Sequence, residues 1–345
     1  SSLASIGDDA FAHCTSLRHI QLPAHLSSIG NNAFRLCLKL ESLSIPDNCD
    51  FGSGIIDDCS ALRSITLPSD TAYIDALLFA ECPALENIII NSKDNSNYVS
   101  EDGILYTADR QCLVRMPSAL AKKNVVIPEG VTSIGDSAFA GCSLLESILI
   151  PSSLEDIGQD AFKGCSALSE YQIDNGYLTT IDGLLLRGHR LLSCPPAWKS
   201  KDNIVRVPDY VEEILPYAFA NCHNVSKVIL PKHLMELPQG IFARCSSLTD
   251  VEIPFECESI PAHAFQGCKS LMNIVLPDGV TTISDSAFEG CTSLCNVDMP
   301  DDITTIGQFA FADCTSLTNI DLSTSLTEIG GGAFAYSALV SVAIP

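Results

Sequence analysis

The sequence predicts an α/β repeat: a solenoid with a parallel β-sheet on one face, short helical turns on the other, and two hairpin-like inserts. Three observations predict it. A cysteine returns every 22 or 23 residues through each uninterrupted run of the chain. Phenylalanine stands three residues before nearly every such cysteine and leucine three after, as in Phe288, Cys291 and Leu294. An apolar-x-apolar run closed by proline follows, as in Ile20-Gln21-Leu22-Pro23. Self-similarity at a fixed period of this kind marks stacked repeats, not a single globular core.

Each element of the unit has a physical reason. The alternation in Ile20-x-Leu22 is the period of a strand with one buried face. The proline at its end lacks a ladder donor and stops it. The segment Gly135-Asp136-Ser137-Ala138-Phe139-Ala140-Gly141 reads as one short helical turn. Asp136 caps it, Ala138 and Phe139 point inward, and Gly141 takes the left-handed conformation that ends it. One coil buries roughly seven or eight apolar side chains worth about 1.5–3 kcal/mol each. Ordering its backbone costs about 1–2 kcal/mol per residue. A lone coil therefore does not fold, and stacked coils do.

In chain order, regular coils fill residues 1–90, 124–173 and 204–345, as one solenoid over 1–345. Two inserts, 91–123 and 174–203, break the rhythm and resemble each other. Asp102-Gly103-Ile104-Leu105-Tyr106 and Leu113-Val114-Arg115-Met116-Pro117 match Asp182-Gly183-Leu184-Leu185-Leu186 and Leu191-Leu192-Ser193-Cys194-Pro195. Each reads as two short strands joined by a turn. Each rejoins the array through a proline-ended strand, Val125-Val126-Ile127-Pro128 or Val205-Arg206-Val207-Pro208.

The unit IGxxAFxxCxxLxxIxIP, with DGILY-type longer units between, resembles the BspA-like class of leucine-rich repeats over essentially the whole chain. Ile56, Val225 and Ser337 depart from it conservatively. The resemblance implies a right-handed leucine-rich-repeat solenoid. It also implies a secreted or cell-surface protein of the kind common in host-associated bacteria and some parasitic protists, with adhesion as the usual role.

Composition narrows the function. The formal net charge of −23 argues against nucleic acid and anionic membranes as partners. No apolar run is long enough to cross a membrane as a helix. Ser1-Ser2-Leu3 has neither the basic nor the apolar region of a signal peptide. Leu3 and Ile6 already sit in register, so both ends read as cuts within a longer protein, with any signal or anchor outside this segment.

Most of the 16 cysteines follow the repeat. They read as buried thiols acting as small hydrophobes, because stacked side chains point in parallel and keep their Cβ atoms too far apart to bridge. Cys112, Cys194 and Cys295 lie off the pattern and read as the accessible thiols. Zinc needs two close ligand pairs, and only Cys291 and Cys295 come near one another. Asp94-Asn95-Ser96-Asn97 lacks the spacing and closing Glu of a calcium loop. The seven histidines do not converge, and no hydrolase, metalloprotease or phosphate-loop motif occurs. The expectation is a non-enzyme with no cofactor or metal.

Two candidate binding surfaces remain. Tyr98, Tyr106, Arg115, Tyr177, Arg190, Trp198 and Tyr210 gather around the inserts and are residue types enriched at interfaces. They equally suit packing of the hairpins on the solenoid. The alternative is the outward strip of the late strands: Asp250, Glu252, Asn273, Asn296, Asp298, Asn319 and Asp321. From Cys245 onward Lys269 is the single Lys or Arg against thirteen acids. The expected partner is a protein on a host or neighbouring cell, met through the inserts. The rival readings are a structural spacer displaying another domain and a carbohydrate-binding surface protein.

Overall fold

The computed structural model describes residues 2–79, 82–91, 97–173 and 178–344. The chain forms two compact units, Ser1–Leu145 with Ser153–Ser166, and Glu146–Ser152 with Ala167–Pro345.

In the first unit, strands Ser42–Ser44, Ser64–Leu67 and Asn87–Ile90 pair in parallel, with Leu43, Ile65 and Ile88 opposite one another and buried. In the second, Asn273–Val275 pairs with Asn296–Asp298 in the same manner, Ile274 against Val297. The alternation of exposed and buried residues along these strands is the predicted one. Toward the chain ends the pattern persists without strand geometry: residues 20–22 and 319–321 have no assigned strand.

A second parallel ladder, unforeseen from sequence, runs through the Ser-Ile pairs of each unit. Ser5–Ile6, Ser28–Ile29 and Asp50–Phe51 pair in the first. Ser259–Ile260, Thr282–Ile283, Thr305–Ile306 and Glu328–Ile329 pair in the second.

The predicted helical turns are not helical. Among the described residues the only helical segment is one 3-10 turn, Ala76–Phe79. The fold of each unit is a β-solenoid, and the α/β assignment is wrong. The backbone amides show why. Those of Ala138, Ala140 and Cys142 fold back on the carbonyls of Gly135, Ser137 and Phe139. The alternate amides, of Ser137, Phe139 and Gly141, go to Gln159, Ala161 and Lys163 one turn on. A helix needs every amide for its own carbonyls, and here half are claimed by the neighbouring turn. Ser137 takes φ 54° and Gly141 φ 80°, so two left-handed residues bend each such segment back. Gly141 does adopt the conformation expected of it.

The aspartate of the repeat caps the next turn instead of a helix. Asp285 accepts the Gln308 amide at 2.6 Å. A Cβ on Gly307 would lie 2.5 Å from that carboxylate and 2.6 Å from its own amide nitrogen. The glycine of the repeat is therefore a close-approach residue.

The core is a stack of phenylalanine rings flanked by leucine and cysteine. Phe265, Phe288 and Phe311 are fully buried, with adjacent centroids 5.2 Å apart. In the first unit Phe11 stacks on Phe34 at 5.3 Å and Phe139 on Phe162 at 5.5 Å.

All 16 cysteines are free thiols. The periodic ones are buried apart from Cys14, and each buried thiol has a directed role. It donates to the carbonyl of the inward residue one turn back: Cys59 to Phe34 at 3.1 Å, Cys268 to Phe242 at 3.2 Å, Cys291 to Phe265 at 3.1 Å. Cysteine is small enough for the slot and still satisfies a buried carbonyl. The off-pattern thiols divide: Cys295 is exposed and Cys112 half-buried, but Cys194 is buried at 1% exposure, contrary to expectation.

Burial pushes the thiols of Cys82, Cys142 and Cys314 up to about 12, and those of Cys245, Cys268 and Cys291 well above the ordinary value. A raised folded pKa means the stabilisation is complete below the unfolded thiol pKa near 9 and is lost as pH climbs toward the folded value. Under reducing conditions the unfolding free energy is expected to fall steeply above about pH 9, by up to about 1.4 kcal/mol per pH unit for each such thiol. Urea unfolding from pH 8 to 10.5 checks this; a flat profile would show that the thiols are not held protonated.

Candidate functional site

Each insert is a meander of three antiparallel strands, one more than the sequence reading proposed. Tyr98–Glu101, Ile104–Thr107 and Cys112–Arg115 form the first. Leu178–Ile181, Leu184–Arg187 and Arg190–Ser193 form the second. Asp102-Gly103 and Asp182-Gly183 make the added turns with positive φ at both residues, the conformation that favours Asp-Gly in two-residue hairpins. The last strand of each meander joins the Ser-Ile ladder, Leu113 against Ile134 and Leu191 against Ile214. The inserts are thus turns of the stack and not appendages.

This placement decides the fate of their side chains. Tyr106 is 4% exposed, and burial pushes its phenol up to about 12. Trp198 is 9% exposed and lies on Gly183, where a Cβ would fall 1.9 Å from the indole. Tyr98 is half-buried, and its hydroxyl accepts the Ile74 amide at 3.1 Å. Arg115 is 4% exposed and donates to the carbonyls of Phe79 at 3.4 Å, Ala140 at 3.1 Å and Ser137. It stands 6.0 Å over the Phe79 ring. The insert turn lacks the repeat's periodic phenylalanine and cysteine, so the guanidinium serves the Phe79 carbonyl as a thiol serves its counterpart elsewhere. In the second insert Ser193 replaces Arg115, and Tyr171 reaches it at 2.8 Å.

As a presented surface, the predicted aromatic group is therefore corrected for Tyr106, Arg115 and Trp198. Their bulk is used inside, where the turn lacks its usual core residues. Tyr177 lies outside the described residues, as do Asp94-Asn95-Ser96 of the calcium-like stretch. Arg190 is half-buried and pairs with Glu213 at 2.9 Å. Tyr210 is exposed, its ring 5.9 Å from that of His189, which in turn meets Glu212 at 3.0 Å.

The alternative strip is exposed throughout: Asp250, Glu252, Asn273, Asn296, Asp298, Asn319 and Asp321. Register places Asn273 beside Asn296 and Val275 beside Asp298. Elsewhere, bases meet acids across neighbouring turns, Arg18 with Glu41 and Arg63 with Glu86. Lys227 likewise meets Asp250, and Glu252 at 3.9 Å. Beyond Glu252 that pairing stops. Among the described residues Asp298 and Asp321 have no basic partner, since Lys269 is the one Lys or Arg in the last hundred residues. Among the described residues no cluster of three or more His, Cys, Asp or Glu is placed to hold a metal, and no helix is long and apolar enough to cross a membrane.

A family model described as a BspA type leucine rich repeat region matches in 6 copies, over residues 1–101, 119–192, 199–254 and 236–345. Among solved structures, a leucine rich cell surface protein from Faecalibacterium prausnitzii A2-165 is 27% identical, covering 95% of this chain and 76% of its own, with a TM-score of 0.52. The pneumococcal vaccine antigen PcpA is 20% identical, covering 86% and 71%, with a TM-score of 0.50, a likeness of fold. A leucine-rich repeat protein from Eubacterium ventriosum ATCC 27560 is 21% identical, covering 100% and 82%, at 0.49. No curated protein matches the chain.

Proposed function

The chain belongs to the BspA-type leucine-rich repeat family, and on that premise we propose that it is the non-catalytic binding module of a secreted or cell-surface protein. Its partner is a protein with a basic face, met by the outward sheet residues of the second unit. The observation that carries this reading is the unneutralised late part of that strip, beyond Glu252. Cross-turn pairing offsets some of the acids elsewhere, whereas Asp298 and Asp321 have no Lys or Arg partner among the described residues and are open to a basic partner. Exposed Val275, at 65%, and Ile229, at 40%, add apolar area on the same face. The likeness to a cell-surface protein from Faecalibacterium prausnitzii supports the location. Generic leucine-rich repeat proteins of this family are repeat scaffolds, and adhesion to host or neighbouring cells is the role that fits a presented acidic face.

The test is binding to whole cells and to a panel of basic extracellular-matrix proteins. The double variant Asp298→Lys with Asp321→Lys is expected to slow association about tenfold or more, and the wild-type rate to fall with added salt. Loss of binding in Tyr210→Ala with Arg190→Ala, with the lysine variant unaffected, would assign the contact to the second insert instead.

A further inference from the structure

We infer that the first unit carries a binding site for a single neutral sugar ring, in a cavity created where the first insert interrupts the phenylalanine column. The cavity measures about 210 Å³. Pockets for drug-sized ligands run to about 300–1,000 Å³, so this one admits one ring-sized unit and not a peptide segment. Tyr73, Tyr98, Asp75, Asp136, Thr107 and Arg115 line it.

The origin of the cavity is structural. A regular turn would lay a phenylalanine over Phe79. The insert lays Arg115 there instead, at 6.0 Å, and the slimmer guanidinium leaves space beside it. That space opens to solvent past Tyr73, which is 73% exposed. Tyr98 is held in place by the Ile74 amide on its hydroxyl, so one phenol is fixed before any ligand arrives.

The charges on the lining select the ligand class. Asp75 and Asp136 oppose an anion, as does the net charge of −23. The Arg115 guanidinium in the same lining offsets part of the attraction that the two carboxylates offer an ammonium or guanidinium. A neutral polyol meets neither objection. Its hydroxyls donate to the carboxylates, which only accept and which retain lone pairs beyond the bond Asp136 already takes from Gln159. Its apolar C–H face covers a tyrosine ring, and tyrosine combines an apolar body with a polar tip for such contacts. This site belongs to the first unit and the acidic strip to the second, and the proposal does not rest on a protein partner.

Saturation-transfer NMR of the whole chain with a panel of free neutral monosaccharides tests it, with butylamine as a cationic probe and acetate as an anionic one. At least one monosaccharide is expected to bind in the millimolar range. Tyr73→Ala and Asp75→Asn are each expected to weaken that binding by about tenfold or more, with wild-type unfolding midpoints, since both alter rim residues. The lysine variants of the acidic strip are expected to leave it unchanged. Transfer from no monosaccharide, transfer from butylamine or acetate alone, or undiminished sugar affinity in either rim variant would overturn the assignment.

Discussion

Phe288→Ala is expected to destabilise the second unit by about 3–5 kcal/mol, the range for truncating a fully buried aromatic. Phe288 is 0% exposed and stacks on both Phe265 and Phe311 at 5.2 Å. Removing the ring forfeits its own transfer free energy and both stacking contacts, and leaves a cavity in the middle of the column. The backbone around it limits collapse. The Phe288 amide binds the Ala310 carbonyl at 2.7 Å, and its own carbonyl takes the Cys314 thiol at 3.2 Å. Both tie residue 288 to the following turn. In a repeat array the loss is shared by neighbours, because each interface couples adjacent turns. Hydrogen exchange should therefore quicken at the amides of Phe265 and Phe311 as well as at residue 288. A loss below about 1 kcal/mol, far under the core-truncation range, would mean that the ring is not load-sharing in the stack.

Arg115→Ala is the second large effect. Its guanidinium is donor to the carbonyls of Phe79, Ser137 and Ala140. The Ser137 carbonyl keeps the Ala140 amide, so the Phe79 and Ala140 carbonyls are the two left unsatisfied, and at about 1–3 kcal/mol each a loss of about 2–6 kcal/mol is expected. Arg115→Met restores part of the volume without the donors, and its recovery separates packing from hydrogen bonding. Equilibrium urea unfolding reads both variants. If Arg115→Ala unfolds at the wild-type midpoint, the residue is not a core keystone, and its place among the predicted ligand contacts would return.

The repeat chemistry was legible because it depends on side-chain type at fixed spacing. Phe139, Cys142 and Leu145 announce one buried face wherever the chain places them, and each is buried. The extra strand of each insert was missed: Asp102-Gly103 and Asp182-Gly183 make its turn, but Tyr98–Glu101 and Leu178–Ile181 carry only weak strand alternation. The helical turns were misread for a different reason. Ser137, Tyr217 and Phe309 all adopt positive φ, at 54°, 59° and 53°, and none has a side chain that favours it. Their conformation is imposed by the amide bonds to the next turn.

By itself the sequence determined the period, the inward residues, the parallel ladder at the proline-ended strands and the two inserts. Hydrophobic burial at a regular spacing is a local property and can be read from one chain. Tertiary structure alone decided the β character of the turns, the thiol-to-carbonyl ladder and the interior roles of Tyr106, Arg115 and Trp198. Each of these turns on which backbone group a neighbouring turn offers. Arg115 reaches Phe79 across 36 residues, and Cys291 reaches Phe265 across 26. Tyrosine, tryptophan and arginine suit an interface and a polar-lined core equally well, so only the stacked neighbours could choose between them.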